Sequence, residues 1–384
     1  MNTPFFSAIA LLVGTVVGAG IFALPGGFSR AGVVVGLLLT AVVAWFSYLL
    51  HSAYGEVVLR TRRVKQLPGL AEKYLGKAGR WVALCTALFG GYGAMLAYLI
   101  GIGTFLELLF GNLFGGTAFG YGTLFFLIAS VAVLFGLHVV TVAQRYMFVL
   151  LLVVLVLFLL FGLPSFELPT LLSVEPTFGG VMALYGMLLF AFVGTSALVD
   201  MERVLARDKG RMRPAILVAF IVISFVYIAF SLLVVGVSGG ATSPQAIEGL
   251  VPFLGSGILA IGAVFGTLAM ASSFLISGLV IREIFEFDFK MPKVGAWALA
   301  VAPPFLIFLL GVTDFSLVVE VVGSIVVGLT IILILAMHAK SKEKGDETPA
   351  YSLTLPAWLR WMMYGVFGAG IVYQIVSLLI PSLA

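Results

Sequence analysis

The chain has 384 residues, of which 62% are hydrophobic and only 10% charged, and its mean hydropathy is +1.20. So much apolar surface excludes a soluble domain and makes lipid the natural solvent. The net charge of +4 and pI near 9.1 do not indicate nucleic acid, because the bases lie in short clusters between apolar runs, where they report topology. A single cysteine, Cys85, inside an apolar run excludes an internal disulfide framework and a multi-cysteine metal site. It reads as a small buried hydrophobe.

Apolar runs near the about 20 residues needed to cross a bilayer fall, in order, at 5–29, 32–59, 79–111, 121–138, 142–163, 178–200, 213–238, 251–283, 294–312, 315–337 and 357–381. The first begins almost at Met1 without a basic leader or a small-residue cleavage site, so it is expected to remain as the first span. Inside it the run GTVVGAGIFALP from Gly14 to Pro25 gathers glycines and a proline at mid-depth. A helix in lipid leaves its backbone groups unpaired only where protein or a water-filled cavity takes them up, so this break points to a binding site. Spans four and five are separated only by the short stretch from His138 to Arg145, and fusing them would invert everything downstream. The sixth reads LLFAFVGTSALVD from Leu188 to Asp200, with Gly194, Thr195 and Ser196 near its middle. Lys340 to Thr348 is the most polar segment and reads as a solvated linker before the last span.

Charge orients this arrangement. With the N-terminus inside, every one of the 21 Lys and Arg except Arg30 falls on the cytoplasmic side, a strong positive-inside asymmetry. Eleven spans then leave the C-terminus extracellular. The expected fold is an all-α integral membrane protein: a first half at 1–163, a second at 178–337, a linker at 338–356, and an extra C-terminal helix at 357–384. Two halves of five spans enter the membrane in opposite directions, which is the origin of a 5+5 inverted repeat, with the first and sixth helices broken at matching positions.

GTVVGAGIFALP, the stretch from Leu188 to Leu205 with its basic loop, and AMASSFLISGLVIREIFEFDF from Ala269 to Phe289 resemble the amino acid–polyamine–organocation superfamily. Within it, they are most similar to the amino acid/auxin and the hydroxy/aromatic amino acid permeases. The resemblance covers essentially the whole chain and implies the same inverted-repeat fold and a secondary active amino acid permease in the plasma membrane. It does not identify the substrate.

A zwitterionic amino acid needs an anion site beside a cation site. The amides of Ala19, Gly20 and Ile21, which begin the second half of span one, are donors at a positive helix end and suit a carboxylate. Carbonyls at Thr15 and Val16, and at Ala191, Phe192 and Val193, suit the ammonium group; Gly18, Gly20 and Gly194 allow close approach. Thr195 and Ser196 either reach substrate or bond back to their own helix. Tyr92, Phe192 and Phe274 are the candidate specificity side chains. For the driving ion, the resemblance implies a Na⁺ site formed by Ser272 and Ser273 with carbonyls of Gly14, Val17 and Ala269. Proton-coupled relatives place a lysine in span five, where this chain has none.

Ionisable groups inside spans are costly and invite functional readings. Glu320 is the proton-coupling candidate, whereas Glu107 reads as a solvated helix end. Glu56, Asp200 and Glu202 sit among bases at span ends, and His51, His138 and His338 are dispersed, so no metal cluster or catalytic centre is indicated. An intramembrane enzyme needs such a cluster; a channel does not need paired breaks. A same-fold carrier of a polyamine, nucleobase or metal ion is the nearest alternative. The expected partners are a small-molecule substrate, probed first as a neutral amino acid, and the bilayer; no nucleic acid or obligatory protein partner is indicated.

Overall fold

The computed structural model describes residues 4–62, 66–136 and 139–380, and these form helices with no strand among them. The helices are α1 (Pro4–Val16), α2 (Gly20–Ala31), α3 (Val33–Leu59), α4 (Leu67–Phe114), α5 (Ala118–Phe135), α6 (Val139–Gly162), α7 (Leu168–Leu172) and α8 (Phe178–Ala191). They continue as α9 (Ala197–Val204), α10 (Met212–Ser238), α11 (Val251–Glu283), α12 (Lys293–Leu309), α13 (Phe315–Val321), α14 (Gly328–Lys344) and α15 (Ala357–Leu379). Among the described residues seven segments are long and apolar enough to cross a membrane, and counting the bent pair α1–α2 as one span makes eight. The helices α8 and α12 are apolar but shorter.

The breaks occur where the sequence loses side chains. Helices α1 and α2 meet at 61° across Val17–Ala19, and α8 and α9 are separated by the stretch from Phe192 to Ser196. Between spans four and five, α5 stops at Phe135 with Gly136 at φ 70°, a left-handed cap that glycine adopts without strain, and α6 starts at Val139. The two runs are therefore separate helices; His138 and the side chain of Arg145 lie outside the described residues. Helix α4 extends beyond the expected third span, with Gly76 at φ 77° kinking a short N-terminal piece away from the apolar run. A π-helical turn at Val322–Val327 joins α13 to α14. There Gly323 and Gly186 bring backbones together so closely that a methyl at Gly323 would overlap the Gly186 carbonyl.

Cys85 corrects the sequence reading: it is exposed on the outside of the bundle. An apolar run in a membrane protein has a lipid-facing side as well as a packed one, so apolar neighbours do not imply burial.

A second correction concerns the end of α3. Glu56 is fully buried, with Arg60 Nη2 at 2.7 Å, His338 Nε2 of α14 at 3.0 Å, and donors from Ser352 Oγ at 3.1 Å and the Leu353 amide at 2.7 Å. Tyr351 donates to the Ser52 carbonyl at 2.6 Å, and the amides of Asp346 and Glu347 reach the Arg60 carbonyl. Lys73 pairs with Asp346, whose carboxyl this ammonium and the Arg62 amide hold below the usual range. The linker is thus laid along α3, although most of its charged side chains remain in solvent. A buried carboxylate is tolerated because Arg60, His338, Ser352 and the Leu353 amide all converge on it.

Candidate functional site

The two breaks lie against each other. A methyl on Gly20 would come within 2.6 Å of the Ala191 Cα and 2.7 Å of its Cβ, so the start of α2 rests on the end of α8 with no room for a side chain. Gly194 in the second break is equally crowded: a methyl there would meet Val16 Cγ2 at 2.2 Å. These glycines are what allow the interrupted helices to touch.

The first turn of α2 is an uncapped helix start inside the protein. Ala19 provides no side-chain cap, and Ala19 and Ile21 are only 2% and 3% exposed. Buried helix ends without partners are rare, because their amides lose water and gain nothing in return. Of the three amides expected to meet a carboxylate, that of Ile21 turns back to the Gly18 carbonyl at 3.4 Å, which leaves Ala19 and Gly20 better suited to an external acceptor.

The carbonyls have a partner that sequence reasoning missed. Tyr227 of α10 is completely buried, and its hydroxyl lies 3.0 Å from the Val16 oxygen and 2.7 Å from the Ala191 oxygen. It joins the C-terminal ends of α1 and α8, one from each break. Nothing in the local sequence of α10 distinguishes this tyrosine from a packing aromatic.

The remaining expected residues divide. Thr15 donates back to the Leu11 carbonyl at 2.8 Å, leaving its oxygen lone pairs free. Phe192 is buried, stacks with Phe220 at 5.9 Å between centroids and meets the Tyr227 ring at 5.2 Å. Val193 is 41% exposed, and Thr195 accepts the Leu198 amide through its carbonyl at 3.2 Å. Phe274 is fully buried against Phe125 of α5 at 5.3 Å. Tyr92 directs its hydroxyl to the Leu299 carbonyl of α12 at 2.7 Å. The tyrosine of α4 that joins the break region is instead Tyr98, whose hydroxyl lies beside Ser273.

Ser273 lies beside the first break, its Oγ 3.7 Å from where a methyl on Gly18 would sit. Ser272 donates to the Ala269 carbonyl at 2.9 Å, so two of the five oxygens expected around a cation are already coupled. That bond uses the serine proton and leaves the hydroxyl lone pairs, as in the ordinary back-bond of a serine within a helix. Among the described residues no group of three His, Cys, Asp or Glu could hold a metal ion.

On the α2 side of the break, Phe22 packs on Phe105 at 5.1 Å, Phe230 at 6.2 Å and Phe265 at 6.3 Å, an aromatic plug. Farther along, Glu320 of α13 is half-buried and lies beside Gln374 of α15. Glu107 is not merely a solvated helix end: its Oε2 accepts the Ala118 amide at 3.0 Å and so caps α5.

Comparison with known proteins identifies the family. The Tryptophan/tyrosine permease family matches residues 1–377. The chain belongs to that family. Among its relatives, the Tyrosine-specific transport system 1 of Haemophilus influenzae is 24% identical over 368 residues, covering 91% of each chain. Glutamine transporter 2 of Aliivibrio fischeri is 22% identical over 355 residues, covering 90% of this chain and 92% of the other. A similar solved structure is that of MhsT in complex with L-phenylalanine, with a TM-score of 0.65, 16% identity and coverage of 98% of both chains. The protein is therefore a multi-pass membrane permease of the amino acid class, and not an enzyme.

Proposed function

We propose that the protein is a secondary active carrier of neutral amino acids, aromatic ones foremost, working by alternating access. The observation that carries this reading is the meeting of the two breaks, Gly20 against Ala191, which sets a buried uncapped helix start beside two helix-end carbonyls. Such a pair offers amides to a carboxylate and carbonyls to an ammonium group, the two ends of any amino acid. The names of the relatives support tyrosine or tryptophan as first substrates.

In this reading α6, the α8–α9 pair and α12 add three spans to the eight, giving eleven, arranged as an inverted repeat of five and five with α15 appended. The basic connections, including the end of α3, face the cytoplasm of a plasma-membrane protein, and the aromatic plug around Phe22 closes the outer path. Helices α1 to α3 and α8 to α10 rock against the remaining scaffold. The substrate meets Ala19, Gly20 and carbonyls at Thr15, Val16, Ala191, Phe192 and Val193, with Gly194 and Thr195 beside it. Na⁺ is held by Ser272 and Ser273 with carbonyls of Gly14, Val17 and Ala269; Glu320 carries the coupling if protons drive the cycle.

Uptake of labelled tyrosine, tryptophan and glutamine into proteoliposomes, under an inward Na⁺ gradient, an inward H⁺ gradient or neither, tests this. Na⁺-driven uptake lost in Ser273→Ala is the expected result. Proton-driven uptake lost in Glu320→Gln instead would transfer the coupling to that carboxylate. No uptake or exchange of any amino acid would sink the substrate class.

A further inference from the structure

Resting on the amino acid reading above, we propose that Tyr227 is a positioning residue that sets the ammonium-recognising carbonyls and so makes the carrier require an α-amino group.

A phenol hydroxyl has one proton, and here it faces two acceptors, the Val16 oxygen at 3.0 Å and the Ala191 oxygen at 2.7 Å. Both carbonyls end half-helices, so both are among the orphan acceptors that a helix terminus leaves unmet and both lie at a negative dipole end. Each carbonyl oxygen has two lone pairs. The shared hydroxyl takes up at most one on each and holds the two oxygens within the span of its own bonds, leaving at least one lone pair on each for a further donor. A primary ammonium carries several N–H donors and can use acceptors of this kind; a methylene cannot.

Two features separate this role from ordinary packing. The hydroxyl bonds one carbonyl from each broken helix, while the ring packs edge-on against Phe192 at the start of the second break, with centroids 5.2 Å apart. The tyrosine also comes from α10, a continuous helix, so the two broken helices take their spacing from an element that is not itself interrupted. Without the hydroxyl the Val16 and Ala191 oxygens, both in buried residues, are left to find their own spacing.

The test is equilibrium competition on the purified full chain, using L-tyrosine against 3-(4-hydroxyphenyl)propanoate and L-tryptophan against indole-3-propanoate, pairs that differ only in the α-amino group. In Tyr227→Phe the preference for the amino acid should fall about tenfold, the scale of one charge-assisted hydrogen bond, with the des-amino affinity unchanged. Equal weakening of both members of a pair would mean a structural role only and would overturn the proposal, as would an unchanged preference. Replacing Tyr227 by 3-fluorotyrosine keeps shape and donor, so folding is not in question; the preference should be retained, and its loss would also overturn the proposal. Ser224→Ala, which removes a hydroxyl of α10 bonded to its own helix at Phe220, should leave the ratio alone. If the native protein binds neither amino acid, the substrate reading fails and takes this proposal with it; if it binds them and the ratio does not move, only the role of Tyr227 fails.

Discussion

Adding one methyl group at Gly20 should stop transport while leaving a folded protein. The methyl would sit 2.6 Å from the Ala191 Cα, 2.7 Å from its Cβ and 3.3 Å from its amide nitrogen. Carbon atoms pack at roughly 3.5–4.0 Å, so α2 and α8 must separate by about 1 Å. Two of these three obstacles are backbone atoms, so no rotamer change relieves them. Overpacking of this kind costs about 1–3 kcal/mol, which a large helical bundle survives, but a 1 Å change in the gap between donors and acceptors removes binding geometry. Gly18→Ala is the contrasting change, because its methyl would meet only Ser273 Oγ at an ordinary 3.7 Å. Proteoliposome uptake, read beside thermal unfolding in detergent, should show Gly20→Ala below a few per cent of native flux with a modestly lowered melting temperature, as an order-of-magnitude expectation, and Gly18→Ala with a smaller loss. Flux of Gly20→Ala within about twofold of the native protein would refute the claim that contact between the breaks sets the site.

Three further outcomes follow from the structure. Glu56→Gln leaves Arg60 without its buried counter-charge and should cost about 3–5 kcal/mol, visible as a lower melting temperature and faster proteolysis between Gly345 and Leu353; unchanged protease resistance would mean the carboxylate does not hold the linker. Glu248, in the loop before α11, is pushed above the usual carboxylate range first by burial and then by the neighbouring Glu107 charge. A raised carboxylate binds its proton more tightly when folded, so its contribution is fully present below the unfolded pKa and is lost as pH rises through the folded one. Glu248→Gln should therefore be more stable than the native protein at neutral pH and equal to it in acid; a constant difference across pH would exclude this linkage. Cys85→Ala, on the exposed outer face, should change stability by less than about 0.5 kcal/mol and give a cysteine-free protein for labelling, whereas a large loss would show that Cys85 is packed after all.

The sequence by itself determined that this chain lives in lipid, where its helices run and where two of them break, because hydropathy, charge asymmetry and missing side chains are local properties. The run from Gly14 to Pro25 marked the first break and Gly194 the second, and α11 begins and ends where its apolar run does. Which groups complete the site was not legible. Tyr92 and Tyr98 lie on one helix, and only packing shows that the first turns to Leu299 and the second to Ser273. Burial of Glu56 follows from segments almost 300 positions downstream, and exposure of Cys85 from the side of the bundle it faces. Tyr227 had no signal at all, since its partners are backbone carbonyls contributed by two other helices. Long-range hydrogen bonds to backbone leave no pattern in the neighbouring residues, so only the tertiary structure could decide which hydroxyl joins the two breaks.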